Sequence, residues 1–420
     1  MSRTKYLIIG SSHAGLSAAE AIRLYDQDGA LTMISAEKAY PYSPTILPYV
    51  VSGKVHEDRI FLRDQAWFDK RNIRFLNGAT VTGVHAEKKS VSLESGREMS
   101  YEKLLIATGA EPELPPVAGL KECPHYKLRT VDDAINIRGA LKKGGSAIVL
   151  GGGLIGMHAA ENMARAGLKV TVVEMLRQVL PGYFDPQAAG LIQKVFTENG
   201  VKILTGNPAT NVTSAHGACA VSLRNGLDLS AHVLLVAAGV RPRISFLAGS
   251  PVGTDAGILV DERMRTSAQD IWAAGDVAQA GSFLGPEKIL NGIVPDAVEQ
   301  GRIAGMDMAG DPSLKPYSGG IAMNTYSFFG NRSFSVGLSL AEASEEDLEV
   351  DTIYSPAGLK YQKLVFREDR LIGASAINAA LDPGVICQTI RRKVQMGEMK
   401  RGFAASPLEY GRLFMSRLWR

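Results

Sequence analysis

Two glycine-rich turns constrain the fold of this chain more than any other feature of its sequence. Each ends a short apolar run and opens a stretch of small residues, and they read Tyr6-Leu-Ile-Ile-Gly-Ser-Ser-His-Ala-Gly15 and Ala147-Ile-Val-Leu-Gly-Gly-Gly-Leu-Ile-Gly156. A strand that turns sharply into a helix presents free N-terminal amides to a pyrophosphate, and side chains at the turn would block the phosphate. One such turn is equally typical of an ordinary strand-to-helix connection. Two of them indicate that the chain binds two dinucleotides.

The two turns differ at their middle position. The second has the full G-x-G-x-x-G spacing, whereas the first has Ser12 where the second has Gly153. The serine crowds a phosphate slightly and adds a hydroxyl group that could hydrogen-bond it. The residues expected to contact the nucleotides are Gly10, Ser12, His13, Ala14 and Gly15 in the first turn, and Gly151, Gly153, Leu154, Ile155 and Gly156 in the second.

An acidic residue at the end of the next strand should accept hydrogen bonds from the ribose hydroxyls. After the second turn this residue is Glu174, directly behind the apolar strand 169–173. Its charge would repel a 2′-phosphate, so NADH is expected rather than NADPH. After the first turn the nearest carboxylate is Glu37, two residues beyond the strand, and it is the candidate for the other ribose.

The composition is that of an ordinary globular protein. At 420 residues the chain is too long for one core and should form two or three domains. A hydrophobic content of 45%, a charged content of 21% and a net charge of +3 give no argument for nucleic-acid binding. Neither a signal peptide nor an apolar run of about 18 residues is found, so no membrane span and a cytoplasmic location are expected. The three cysteines form no C-x-x-C pair, so neither a metal site nor a disulfide framework is indicated.

Strand and helix patterns alternate from Lys5 to about Ile244, which favours parallel sheets with crossover helices. The segment Lys103-Leu-Leu-Ile-Ala-Thr-Gly-Ala-Glu-Pro112 recurs as Val233-Leu-Leu-Val-Ala-Ala-Gly-Val-Arg-Pro242, so the nucleotide-binding unit is duplicated. The predicted class is α/β, with two Rossmann-like dinucleotide-binding domains and a C-terminal α+β domain. The expected divisions are 1–116 and 247–314 for a discontinuous first domain, 117–246 for the second, and 315–420 for the third, with a helix over Asp382–Met396.

These segments resemble the FAD- and NAD(P)-dependent pyridine nucleotide oxidoreductases, a family that includes disulfide reductases, NADH oxidases and ferredoxin reductases. The motifs that carry the resemblance span most of the chain: 10–15, 107–109, 151–174, 238–239, 275–276 and Pro295-Asp-Ala-Val-Glu-Gln-Gly301. The resemblance implies FAD on the first unit and NADH on the second. It places Asp276 on the ribityl hydroxyls and the amides near Ala297 against the flavin pyrimidine ring. It further assigns Pro44, Val81, Thr108, Gly109 and Gly275 to FAD and Gly239 to NAD.

Simpler interpretations of two of these motifs stay open. Asp276 could merely cap a turn, and Thr108-Gly109 could be only the exit of a strand into a loop.

The departures from the family narrow the function. Disulfide reductases have a cysteine pair after the first ribose carboxylate, and NADH oxidases or coenzyme A disulfide reductases have a single cysteine there. This chain reads Tyr40-Pro-Tyr-Ser-Pro-Thr-Ile-Leu-Pro48 instead. Thiol chemistry next to the flavin is therefore not expected. The Pro-Tyr-Ser-Pro segment, with Leu154 in place of a tyrosine over the flavin, resembles the branch of ferredoxin reductases and nitrite-reductase flavoproteins.

A second departure concerns the lysine–glutamate pair that many relatives hold beside the flavin. The glutamate position is His158, and Tyr49 occupies the lysine position, so both partners have changed together, as expected if a lone buried charge is costly. These two are the candidate catalytic residues. The alternative is that His158 is a structural residue on a helix.

The resemblance implies hydride transfer between NAD(H) and FAD, and electron transfer between FAD and an iron–sulfur protein or subunit of a larger complex. In these features the chain most resembles the FAD-containing subunits of 2-oxoacid dehydrogenases of the phenylglyoxylate type. The alternatives are a stand-alone NADH oxidase and a flavin-bound interaction scaffold like apoptosis-inducing factor. The sequence leaves both a homodimer and a hetero-oligomer open.

The C-terminal tail is locally basic, with eight Lys or Arg against two Glu over 391–420. Apolar residues at helical spacing predict one apolar face, made of Leu408, Phe414, Met415, Leu418 and Trp419 among Arg412, Arg417 and Arg420. We expect this face either to pack on its own domain or to dock a partner.

Overall fold

The computed structural model describes residues 2–142, 144–215, 217–342, 344–345 and 347–418. The first segment carries β1 (Ser2–Ile9), α1 (His13–Tyr25), β2 (Leu31–Ile34), α2 (Leu47–Val51), α3 (Gln65–Lys70), β3 (Ile73–Leu76), β4 (Val81–His85), β5 (Ser90–Leu93), β6 (Glu98–Ile106) and β7 (Ala110–Pro112). Its sheet has the order β3-β2-β1-β6-β5-β4, in which β3, β2, β1 and β6 run parallel. Apolar runs such as 6–9 build β1 because a parallel strand is covered on both faces.

The second segment repeats the plan. It carries α4 (Val131–Ala140), β8 (Ser146–Leu150), α5 (Leu154–Arg165), β9 (Lys169–Val173), α6 (Pro186–Glu198), β10 (Lys202–Leu204), β11 (Ala209–Ala215), β12 (Ala218–Leu223), β13 (Asp228–Ala231), β14 (Val233–Val236) and β15 (Val240–Pro242). Strands β10-β9-β8-β14 form a parallel sheet, and β11-β12-β13 form an antiparallel one. The ends of the duplicated segments meet, because β15 pairs antiparallel with β7.

The third segment rejoins the first sheet. It carries β16 (Ile258–Leu259), β17 (Ile271–Ala273), β18 (Ala278–Gly281), β19 (Lys288–Leu290) and α7 (Val294–Ala309). Strand β17 pairs parallel with the second half of β6, where its three residues are all buried. The chain therefore returns to the first nucleotide unit after completing the second, and α7 supplies a further helix against that sheet.

The last segment forms an antiparallel sheet and a helical cluster. It carries β20 (Met323–Phe328), β21 (Asn331–Gly337), β22 (Leu348–Ser355), β23 (Lys360–Arg367), β24 (Arg370–Ile377), α8 (Pro383–Arg391), α9 (Lys400–Ala405) and α10 (Pro407–Leu418). The strand order is β20-β21-β24-β23-β22. The helix expected over Asp382–Met396 ends at Arg391, because Lys393 adopts φ 50° and its amide turns back to the carbonyl of Ile390.

The C-terminal sheet is covered on both faces. On one face Phe366 packs in a cluster with Phe403 and Phe414 of the following helices. On the other face Tyr361 and Phe328 join the core of the second nucleotide unit. Strand β23 is buried at every position between its two ends. The C-terminal segment is therefore fixed to the nucleotide-binding part through a packed interface.

Candidate functional site

Two grooves follow the two glycine turns. The first groove consists of two adjoining cavities that share Ser12, Pro44, Ala107, Gly109 and Arg129. The predicted FAD residues that line it are Gly10, Ser12, His13, Ala14, Glu37, Pro44, Val81, Thr108, Gly109, Gly275, Asp276 and Ala297. Gly15 lies beneath it, since a methyl group there would sit 2.0 Å from the carbonyl oxygen of Gly10. The structure therefore brings this predicted set together along one surface.

The second groove is a cavity of about 520 Å³ at the second turn. The predicted NAD residues that line it are Gly151, Gly153, Leu154, Ile155, Glu174 and Gly239. Gly156 lies below, where a methyl group would come within 2.0 Å of the carbonyl oxygen of Gly151. The structure places this second predicted set around one cavity.

Helix ends give both grooves anion-binding character. Helices α1, α5 and α7 begin after Ser12, Gly153 and Ile293, and none of these residues makes a side-chain capping bond. The short helices α2 and α9 also begin without a side-chain cap, whereas side chains cap α3, α4, α6 and α8. The open N-terminal amides of α1 and α5 lie at the grooves and suit the pyrophosphates of two dinucleotides. The residues present therefore fit FAD in the first groove and NAD in the second.

The acid of the second groove is held by the backbone around it. Glu174 is 7% exposed, and its carboxylate accepts hydrogen bonds from the amides of Gly152 and Leu176, both at 2.7 Å. These two bonds fix the carboxylate at the glycine turn. A carboxylate oxygen can accept a further bond, so a ribose hydroxyl can be bound in addition.

The acid of the first groove is partnered by a tyrosine. Tyr42 donates to Glu37 at 2.5 Å and accepts a bond from the amide of Val131. Burial raises the pKa of Glu37, and it raises the pKa of Tyr42 as well. The sequence prediction missed Tyr42. Its signal was the short spacing to Glu37 within the cysteine-free segment.

An ion pair that the sequence prediction also missed crosses the first groove. Arg129 Nη2 lies 3.0 Å from Asp276 Oδ2, and the two side chains are 21% and 27% exposed. Arg129 comes just before α4, so the pair connects the second nucleotide unit to the residue predicted to bind the ribityl chain. Because the two lie 147 positions apart, only the fold brings them together. A cation in this groove also suits the charge of a pyrophosphate.

Ser43 lies in the segment 40–48, where the family resemblance implies a cysteine in thiol-dependent relatives. Its hydroxyl lies 2.9 Å from His13 Nε2, and burial lowers the pKa of that histidine. Cys123 and Cys219 are buried in the second unit, and Cys387 lies on α8. None of the three cysteines lines either groove.

The candidate catalytic residues lie outside the linings of both grooves. His158 on α5 packs against Tyr326 with ring centroids 4.7 Å apart, and its Nε2 is buried with no hydrogen-bond partner. Burial lowers its pKa to about 4. Tyr49 lies on α2 beneath the ammonium group of Lys54. A role for either residue at the flavin stays a prediction.

The described residues lack two features. None of the helices there has the length and apolar character needed to cross a membrane. Within the same residues, no group of three or more His, Cys, Asp or Glu side chains is arranged to hold a metal ion.

Each groove has an uncapped helix end and, beyond it, the acid predicted to bind a ribose. Together they define an oxidoreductase that holds two dinucleotides. A family model described as pyridine nucleotide-disulphide oxidoreductase matches residues 4–301, and the chain belongs to this family. The predicted fold class is confirmed, and the chain is an FAD-dependent NAD(H) oxidoreductase.

Several characterised relatives match over most of the chain. The NADH-dependent phenylglyoxylate dehydrogenase subunit epsilon of Aromatoleum evansii is 45% identical over 99% of this chain and 98% of its own length. An NADH oxidase of Methanocaldococcus jannaschii is 36% identical over 72% of this chain and 70% of its own. Among solved structures, the covalent putidaredoxin reductase–putidaredoxin complex has a TM-score of 0.84 at 25% identity, with 94% of each chain covered. A ferredoxin reductase of Rhodopseudomonas palustris has a TM-score of 0.81 at 27% identity, covering 89% of this chain and 91% of the other.

Proposed function

We propose that this chain exchanges electrons between FAD and an iron–sulfur protein or subunit, as the electron-transfer subunit of a larger oxidoreductase. When bound, FAD accepts a hydride from NADH and releases electrons singly or in pairs. The observation that carries the proposal is the first groove, whose lining holds no cysteine and where Ser43 lies within hydrogen-bond distance of His13. With no cysteine lining either groove, the flavin would pass its electrons to a separate acceptor.

The similarity to known proteins supports this acceptor. The relative matched over nearly the whole chain is named as a subunit of an NADH-dependent dehydrogenase. Two structural neighbours are a ferredoxin reductase and a reductase joined covalently to putidaredoxin. The geometry is equally compatible with electrons flowing from the partner to NAD⁺. We place the protein in the cytoplasm, where NADH and its partner would be available.

The residues of this chain would bind and orient the two nucleotides. The open ends of α1 and α5 would hold the pyrophosphates, and α7 would face the flavin with its uncapped amides near Ala297. The Arg129–Asp276 pair would join the ribityl chain to the second unit. Glu174 would hold the NADH ribose and oppose the 2′-phosphate of NADPH.

The test uses the protein purified from its native source together with whatever binds it. We expect bound FAD, bleaching by NADH in preference to NADPH, and no thiolate-to-flavin charge-transfer band in the reduced protein. A co-purifying iron–sulfur protein should be reduced by NADH only when this chain is present.

Two outcomes would contradict the proposal. Rapid oxygen-dependent consumption of NADH by the isolated chain, with no partner, would favour the NADH oxidase alternative. A charge-transfer band would mean that a thiol reaches the flavin.

A further inference from the structure

One wall of the second groove is a loop that the C-terminal sheet holds in place. The loop runs from β9 to α6, and Pro181, Gly182 and Tyr183 line the groove. Two bonds tie it to the glycine turn: the amide of Leu180 donates to the carbonyl of Gly152 at 2.8 Å, and the amide of Gly152 donates to the carboxylate of Glu174 at 2.7 Å. Beyond Leu180 the groove-lining residues 181–183 lead directly into α6, so whatever holds the far end of the loop contributes to the shape of this wall.

The loop ends at Asp185, and the two carboxylate oxygens of this residue bind different partners. Oδ1 caps α6 by accepting the amide of Ala188 at 3.1 Å. Oδ2 accepts from Tyr361 and lies 3.4 Å from Lys363 Nζ, both on β23. Tyr361 and Lys363 are two positions apart, so they face the same side of the strand.

Lys363 is an unusual residue at this interface. Its side chain is only 5% exposed, and a buried ammonium group is costly unless it is paired. Asp185 lies within ion-pair distance of this ammonium group. A third bond runs from Ser339 Oγ to the carbonyl of Tyr183 at 3.4 Å. The C-terminal segment thus bonds to the loop at both Tyr183 and Asp185.

We propose that Lys363 and Tyr361 are positioning residues for NADH, which hold the loop wall through Asp185 and so set the affinity of the second groove. This inference rests on the proposed use of that groove for NADH. The C-terminal domain then serves the nucleotide as well as any partner protein.

The test compares Lys363→Met with Lys360→Met, a control on the same strand whose side chain is exposed. Steady-state rates are measured with ferricyanide as the acceptor, so no partner protein is needed. We expect Lys363→Met to raise the KM for NADH about tenfold with kcat within about twofold, because ground-state and transition-state binding are lost together. Lys360→Met should match the wild type.

A second variant separates positioning from simple damage to the fold. Asp185→Asn keeps a side chain that can cap α6 but loses the charge that faces Lys363. It should raise KM to a similar extent, and the double variant should cost no more than either single one. Bound FAD and the melting temperature serve as checks on folding.

Three outcomes have distinct meanings. If the wild type shows saturable NADH binding and both variants keep its KM, the positioning role is wrong while the proposed function stands. If Lys363→Met and Asp185→Asn both lose kcat and bound FAD to the same extent, the positioning role is also wrong, because the interface is then only structural. If the wild type fails to bind NADH, the proposed function itself fails.

Discussion

At the scale of single residues, His158 shows how burial decides chemistry. Its ring lies between α5 and Tyr326, without a hydrogen-bond partner for Nε2. The folded protein therefore holds it neutral, and its pKa falls from 6.5 to about 4. Below pH 6.5 the imidazole of His158 binds a proton in the unfolded chain but stays neutral in the folded protein. The free energy of unfolding therefore decreases as the pH falls from 6.5 toward 4.

Replacing this histidine should remove part of the acid sensitivity. Between pH 7.5 and 5 we expect the free energy of unfolding of His158→Gln to fall by about 2 kcal/mol less than that of the wild type. The measurement is urea unfolding at the two pH values. His85→Gln is the control, because His85 is exposed and should follow the wild type. A parallel pH dependence of His158→Gln and the wild type would show that His158 titrates normally.

At the scale of elements, the two glycine turns repeat the same backbone. Gly10 and Gly151 both have φ 111°, which disfavours any other residue. The residues at the middle position of each turn, Ser12 and Gly153, have negative φ instead, at −85° and −75°, and their backbone is extended. The backbone at the middle position of the first turn therefore accepts a side chain without strain, and the effect of Ser12 on the phosphate stays a prediction.

Two glycines of the second turn allow NADH binding and protein stability to be tested separately. A methyl group on Gly153 meets nothing within 4 Å, whereas one on Gly156 would lie 2.0 Å from the carbonyl oxygen of Gly151. Gly153→Ala should keep the melting temperature and bound FAD but raise the KM for NADH at least about tenfold, because the methyl group occupies the space of the phosphate. Gly156→Ala should instead destabilise the protein by about 1–3 kcal/mol or more.

Thermal melting and NADH titration of both variants check this contrast. Unchanged NADH affinity in Gly153→Ala would mean that the pyrophosphate does not lie over this turn. Unchanged stability in Gly156→Ala would mean that α5 can move away from the turn.

The tail helix α10 resolves an alternative that the sequence left open. Phe414 is 3% exposed and packs with Phe403, and Tyr410 and Met415 lie against the same cluster. The apolar face therefore packs on its own domain. The other residues of the predicted face are Leu408, which is half-buried, and Leu418 and Trp419, whose side chains lie outside the described residues, as do those of Arg417 and Arg420.

At the scale of the whole molecule, the repeated local patterns were predictable. Glycine turns, apolar strands and the Lys103–Pro112 repeat each depend on neighbours in sequence, so the duplicated fold class follows from them. The contacts that join the units were not predictable. Arg129 meets Asp276, and Lys363 meets Asp185, only after three segments have packed together. No local periodicity records such pairs.

The packing of α10 also decides how the docking of a partner should be tested. Deleting the chain after Pro407 would remove Phe414 from the core, so a loss of electron transfer would not report on docking. Arg412 is exposed on the same helix, and its charge can be reversed without disturbing that core. Glu409, exposed one turn earlier, offers the matched change of opposite sign.

Suppose that an acidic iron–sulfur partner docks on the surface of α10 around Arg412. Arg412→Glu should then weaken its binding about threefold to tenfold at low salt, and Glu409→Lys should strengthen it. Both differences should shrink as salt rises, because exposed charges are screened over about 8 Å at physiological ionic strength. The measurements are partner affinity and the rate of its reduction at several salt concentrations, with NADH reduction of FAD unchanged in both variants. Equal affinities for the two charge reversals would place the docking surface elsewhere on the molecule.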